Sequence, residues 1–135
     1  MIIDASALVA ILRGEPEALA CAQAIAGAGH RRISAVNYVE AAVVIDGSRD
    51  PIATRRLDDL LRAAQVVVEP VTEDQAKVAR EAYRDFGKGS GHPANLNFGD
   101  CFAYALAKVT GEPILFKGGD FTHTDLTSAI GEPRL

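Results

Sequence analysis

No stretch of this chain reaches the roughly 18 consecutive apolar residues that a membrane-spanning helix requires. Its apolar opening, Met1-Ile2-Ile3, is broken by Asp4 and has no basic leader ahead of it, so neither a membrane span nor a signal peptide is expected. Cysteine is equally scarce. Cys21 and Cys101 form an isolated pair without metal-ligand spacing, each inside an apolar, helical-looking stretch. Buried free thiols are therefore expected rather than a disulfide, as suits a reducing cytoplasm. Positive charge is not in excess either: the formal net charge is −4, without the broad basic footprint that phosphate binding usually leaves. Aromatics are few, five Phe and three Tyr. Tyr38, Tyr83 and Phe86 are expected in the core, which leaves little for stacking on unpaired bases. Internal repeats and low-complexity segments are also missing.

What is present fits one domain, 1–135, with 48% hydrophobic residues and hence a sizeable core. Short apolar strands alternate with helical patterns, which means an α/β fold. Met1 to Ile3 reads as a strand that stops at Asp4-Ala5-Ser6, followed by the apolar run Ala7 to Leu12. Glu17 to Ala28 is an Ala-rich helix, Arg32-Ile33-Ser34 a second strand, and Ala35 to Asp46 a further helix. Pro51, well placed for a first helical turn, opens an amphipathic helix to Gln65 with Ile52, Leu57, Leu60, Leu61 and Ala64 inward. Val66-Val67-Val68 reads as the clearest buried strand. Thr72-x-x-Gln75 resembles a capping box opening a helix through Phe86, and Gly87 to Pro93 is the flexible-looking loop. A strongly apolar helix runs from Gly99-Asp100 to near Lys108 and Gly111. The strand-like Pro113 to Phe116 and the turn Lys117 to Phe121 follow it.

Four carboxylates stand out against this frame. Asp4 ends the first strand, at the carboxyl edge of a sheet where open α/β folds place ligands; capping the next helix is its ordinary alternative role. Glu40 lies four residues after Val36 and three before Val43, on a stripe with Val39 and Val44 that is expected to face inward. A lone carboxylate there costs several kcal/mol unless it is paired with an Arg or binds a metal. Asp100 sits in a first helical turn, where the helix dipole favours negative charge, and Asp120 sits in a turn after a strand. Their convergence on one pocket is the simplest common explanation. Clustered carboxylates repel and titrate high, and a hard divalent cation such as Mg²⁺, with Mn²⁺ as alternative, relieves that with oxygen ligands.

The order Asp4, Glu40, Asp100, Asp120, with Ile3-Asp4-Ala5-Ser6-Ala7, Asn97-Phe98-Gly99-Asp100-Cys101-Phe102-Ala103-Tyr104-Ala105 and Phe116-Lys117-Gly118-Gly119-Asp120-Phe121 followed by Thr124-Asp125, resembles PIN-domain ribonucleases of the VapC toxin type. The resemblance spans the whole chain. One departure is visible: Gly119 stands where such proteins commonly carry Asn. The resemblance implies a compact PIN-like parallel sheet flanked by helices, Mg²⁺-dependent endonuclease action on RNA, and inhibition by a small antitoxin protein. Asp4 and Asp100 are then the expected principal metal ligands, with Glu40 and Asp120 completing the catalytic pocket. The chemistry is metal-assisted phosphodiester hydrolysis, which requires no Ser, His or Cys nucleophile. Ser6 either hydrogen-bonds the site or satisfies helix-start amides.

Basic residues occur in small groups, Arg31 with Arg32, Arg55 with Arg56, and Lys88 with His92, each of which also fits a solvated face. Lys88 and His92 are the preferred substrate contacts, because their loop leads into Asp100. Arg55 with Asp59, and Asp58 with Arg62, have the spacing of helix-surface ion pairs. A homodimer is the expected assembly, since it joins weak basic patches into one groove. The helices Ala18 to Ala28 and Val39 to Ile45 leave apolar surface for it or for an antitoxin. Two other classes compete: a non-catalytic interaction module that keeps the fold, and a metal-dependent phosphatase, which is disfavoured because Ser6 replaces the second acid of an Asp-x-Asp pair.

Overall fold

The computed structural model describes residues 1–130; residues 131–135 of the expected domain lie outside the described residues. The elements run β1 (Ile2–Ile3), α1 (Ala5–Leu12), α2 (Ala18–Gly27), β2 (Arg32–Ser34), α3 (Ala35–Asp46), α4 (Pro51–Ala63), β3 (Val67–Glu69), α5 (Glu73–Phe86), α6 (Phe98–Thr110) and β4 (Ile114–Leu115). A 3₁₀ turn, Asp120–His123, follows. The strands form one sheet in the order β3-β2-β1-β4, and every pairing in it is parallel.

Strand periodicity sorts the core into two layers, because successive side chains point to opposite faces. Ile2 pairs with Ile114 and Ile3 with Leu115. Ile2 and Ile114 pack with Ala79, Ala82, Leu106 and Tyr104 of α5 and α6, whereas Ile3 and Leu115 pack with Ile33 of β2 and with Leu8, Ile25, Ala41 and Leu57 of the helices on the other face. The chain moves outward from β1 through β2 to β3 and returns on the far side of β1 as β4. The strand order therefore reverses at β1, and a crevice opens at the carboxyl ends of β1 and β4. The Asp4 amide donates to the Leu115 carbonyl at 2.9 Å and fixes that edge.

Three expectations about facing are corrected. Val67 and Val68 are about half exposed, because β3 is an edge strand rather than a buried one. On α4, Leu57 is buried and Leu60, Leu61 and Ala64 pack against the core, but Ile52 is 70% exposed. Tyr83 is also half exposed; its hydroxyl donates to the Lys88 carbonyl at 3.3 Å instead of entering the core. Tyr38 and Phe86 pack against the core as expected. Both cysteines are buried free thiols. The α4 ion pair is Arg62 with Asp59 at 2.7 Å, one helical turn at the shorter spacing. Among the described residues no helix is long and apolar enough to cross a membrane.

Candidate active site

Asp4, Glu40, Asp100 and Asp120 line one open pocket at the switch point, together with Ser6, Arg13, Glu15, Asn97, Lys117 and Phe121. Asp4 lies at this carboxyl edge and also caps the following helix. It is the N-cap of α1, and its Oδ2 accepts from the Ser6 amide at 3.0 Å and the Ser6 hydroxyl at 2.6 Å. The Ser6 hydroxyl in turn accepts the Lys117 amide at 3.0 Å, tying the loop after β4 to the start of α1. With Oδ2 doubly bonded, Asp4 Oδ1 is buried without a partner. Such an orphan is costly unless a ligand completes it.

Asp100 enters from the amino end of α6 through a reciprocal capping box. Its amide donates to Asn97 Oδ1 at 2.9 Å, and its Oδ2 accepts the Asn97 amide at 3.0 Å. Oδ1 takes no part in the box. Asp120 opens the 3₁₀ turn beside buried Phe121 and is itself exposed at the rim.

Glu40 reaches the pocket for a reason other than the expected one. Val39 and Val43 are exposed, and the buried face of α3 is Asn37, Ala41 and Ile45. The valines made the stripe look apolar; the face that packs carries an amide and small residues. Glu40 flanks that face, half-buried. Asn37 Nδ2 donates to the Gly99 carbonyl at 2.9 Å and to Glu40 Oε1 at 3.3 Å, holding α3 against the first turn of α6.

Burial pushes Asp4 up to about 6, against the lowering effect of the Ser6 bonds, and Glu40 and Asp120 raise it further. Burial likewise pushes Asp100 up to about 7, with Asp4, Asp120 and Glu40 adding to the rise and the Asn97 bond opposing it. Two carboxyls displaced in the same direction within one crevice, neither with an ion-pair partner among the described residues, single it out as the candidate site.

Residues 1–126 match the PIN domain, and Ribonuclease VapC28 of Mycobacterium tuberculosis is 57% identical over 130 residues, 96% of this chain and 98% of that protein. The chain belongs to the PIN-domain family of VapC ribonucleases. Ribonuclease VapC42 of the same organism is 51% identical over 129 residues, covering 96% of this chain and 98% of that one. Ribonuclease VapC30 is 48% identical over 128 residues, with 95% and 97% covered. Among solved structures, Mycobacterium tuberculosis VapC20, a sarcin-ricin loop cleaving toxin, superposes with a TM-score of 0.73 at 18% identity, over 93% of this chain and 95% of that one. A toxin–antitoxin complex from Klebsiella pneumoniae gives 0.66 at 17% identity, over 89% and 88%. At those identities the likeness shows the PIN-like fold alone.

The donor set of this VapC ribonuclease fits a hard divalent cation. All four acids offer oxygen, and Asp4 Oδ1 lacks a partner. Among the described residues no three His, Cys, Asp or Glu side chains form a ready-made cage. Lys88 and His92, in contrast, do not line the pocket. Leu96 pairs with Gly87, and its carbonyl takes the Lys88 amide at 2.8 Å, which folds the loop onto the end of α5. His92 packs edge-on against Phe86, ring centroids 4.8 Å apart, and its Nδ1 accepts the Ala94 amide at 3.1 Å. Nor are Arg31 and Arg32 free for phosphate. Arg31 caps carbonyls at Ile25, Ala26 and Ala64, and Arg32 pairs with Glu69 and Glu112. Sequence reasoning missed Asn37, Arg13, Glu15 and the side chain of Lys117. For Asn37 a signal existed, since it stands one helical turn before Glu40 on the same face.

Proposed function

We propose that this chain is a Mg²⁺-dependent endoribonuclease, with Mn²⁺ as an alternative ion, and the toxin of a type II toxin–antitoxin pair. It hydrolyses RNA phosphodiester bonds at the pocket of Asp4, Glu40, Asp100 and Asp120. The observation that carries the reading is the partnerless Asp4 Oδ1 in a crevice lined by three further carboxylates from chain-distant elements. Asp4 and Asp100 are the residues that hold the cation, and Glu40 and Asp120 complete the acidic wall. When bound, the cation neutralises charge on the phosphate and acidifies a water. The protein supplies the rest. Ser6 holds Asp4 Oδ2 and leaves Oδ1 without a protein partner, Asn97 fixes Asp100, and Asn37 orients Glu40.

The whole chain, 1–135, acts as one domain, in the cytoplasm, where buried free Cys21 and Cys101 stay reduced. An antitoxin partner is supported by the complex from Klebsiella pneumoniae and by exposed Leu19, Val39 and Val43. An antitoxin arginine pairing with the carboxylates would be an effective inhibitor. A homodimer is supported by the apolar cleft between α5 and α6, lined by Ala76, Ala79, Phe98 and Phe102. The test incubates the antitoxin-free chain and its Asp100→Asn variant with total cellular RNA, with and without Mg²⁺ or Mn²⁺, and maps new RNA ends. Discrete metal-dependent cuts lost in the variant are expected. A folded wild type that cuts no RNA under any of these conditions overturns the reading.

A further inference from the structure

An acidic crevice that must take in a polyanion needs a cation somewhere on its wall, and the residues foreseen for that task do not reach it. Arg13 and Lys117 do. Arg13 is the C-cap of α1, and the chain turns immediately after it in a Schellman motif. The Gly14 amide donates to the Ile11 carbonyl at 3.2 Å and the Glu15 amide to the Ala10 carbonyl at 3.0 Å. Gly14 takes the left-handed conformation that this turn demands, φ +62. The motif therefore places Arg13 and Glu15 on the pocket wall. Across from them the Lys117 backbone is fastened to Ser6, while the Lys117 ammonium pairs with Glu15. Arg13 makes no ion pair among the described residues.

Building on the nuclease reading above, we propose that Arg13 and Lys117 form an anion subsite for a backbone phosphate of single-stranded RNA, and that Glu15 occupies Lys117 until the phosphate displaces it. The Lys117–Glu15 pair is partly exposed, at 38% and 22%, so it is weak and exchangeable. A phosphodiester oxygen is as good a partner for an ammonium as a carboxylate is. The exchange also explains an acidic residue at the entrance to an RNA site: Glu15 keeps a flexible lysine from folding onto Asp4 and Asp120 when RNA is absent. The subsite would hold the strand beside the four acids without adding positive charge where the cation binds.

The test is made in the Asp100→Asn background, which uncouples binding from cleavage, and measures fluorescence anisotropy of a labelled single-stranded RNA pool across a salt series. Arg13→Ala and Lys117→Ala should each weaken binding about fivefold and lower the slope of log affinity against log salt by about 0.7, the value for one phosphate contact on a single strand. Lys117→Arg should restore both, and Glu15→Gln should tighten binding by freeing Lys117. A folded Arg13→Ala/Lys117→Ala double variant with unchanged affinity and slope overturns the subsite, even where the wild type cuts RNA. Loss of binding in that variant, with no cutting by the wild type, supports the subsite and defeats the nuclease reading alone.

Discussion

The carboxylate of Glu40 occupies the space that a side chain on Gly99 would fill: a Cβ there would overlap Oε2 and stand 2.6 Å from Cδ and 2.8 Å from Oε1. Gly99 lies in the first turn of α6 with a negative φ, so its conformation does not demand glycine. The neighbouring acid does.

Gly99→Ala should accordingly separate activity from stability. The obstructing atoms are the free end of a flexible side chain, so the helix keeps its place and Glu40 moves. Ala is the better helix former by about 1 kcal/mol, which offsets part of the crowding cost of about 1–3 kcal/mol. Tm is expected to shift little, while RNA cleavage falls about tenfold or more, a loss of roughly 1.4 kcal/mol of transition-state stabilisation. Glu40→Gln/Gly99→Ala should be no worse than Glu40→Gln alone. A fully active Gly99→Ala would show that Glu40's present placement is dispensable.

The raised carboxyls give the ion-free protein a pH-dependent stability of known sign. Asp100 titrates at about 7 when folded, against about 4 in an unfolded chain. The folded state therefore holds the proton more tightly, and the contribution is complete below about 4 and drains away as pH rises to about 7. Asp100→Asn keeps an acceptor for the Asn97 amide but removes the titration. In EDTA, the Tm of this variant minus that of the wild type should grow from acid to neutral pH. Added Mg²⁺ should narrow the gap by stabilising the wild type preferentially. A flat difference across that window would mean that Asp100 is not displaced by burial.

Gly119 stands where the resemblance drawn from the sequence leads one to expect Asn, and the structure leaves room for that residue. A Cβ there meets only Thr122 Oγ1, at 3.6 Å, and the backbone sits at φ −106, open to any residue, at the cap of the 3₁₀ turn that begins with Asp120. Gly119→Asn should stabilise by about 0.4–1 kcal/mol through the unfolded chain, and asparagine is a favoured cap. The turn carrying Asp120 should stiffen, and cleavage should hold or rise. A fall in both Tm and rate would show that glycine is required there.

Much of this molecule was legible before any coordinates. The α/β alternation, nearly every element and the approach of Asp4, Asp100 and Asp120 follow from strand ends, a helix start and a turn, which are local signals; Glu40 lies mid-helix and is read from a stripe that does not pack. Facing was less legible, because it depends on which neighbour arrives. Val67 and Val68 look like core but lie on an edge strand, and Val39 and Val43 look inward but are exposed. Asn37 and Ala41, which look unremarkable, are the residues that pack. The cations that line the pocket were less legible for a related reason. Lys88 and His92 are near Asp100 in sequence but are not among the residues that line the pocket, and the Gly87–Leu96 bridge closes their loop beside the end of α5. Glu15 and Lys117 are far apart in sequence and meet because β1 and β4 are neighbours in the sheet.

Ser6 joins those two strand ends, and its removal gives a prediction with a direction on the pH axis. Its hydroxyl donates to Asp4 Oδ2 at 2.6 Å while accepting the Lys117 amide at 3.0 Å. The first bond favours the ionised form and lowers Asp4, which burial has otherwise raised to about 6. Metal binding requires Asp4 deprotonated, so cation affinity and cleavage should rise with pH through that region. Ser6→Ala removes one stabilising bond from the carboxylate and leaves the Lys117 amide without its acceptor. Asp4 should titrate higher, and the acid limb of the pH–rate profile should move toward neutral pH. The deficit should be large near pH 6 and small well above it, where Asp4 is ionised in both proteins. Ser6→Thr, which keeps the hydroxyl, should retain the wild-type limb. If Ser6→Ala instead lowers the rate by one constant factor at every pH, the hydroxyl acts by anchoring the Lys117 loop and not through the charge on Asp4.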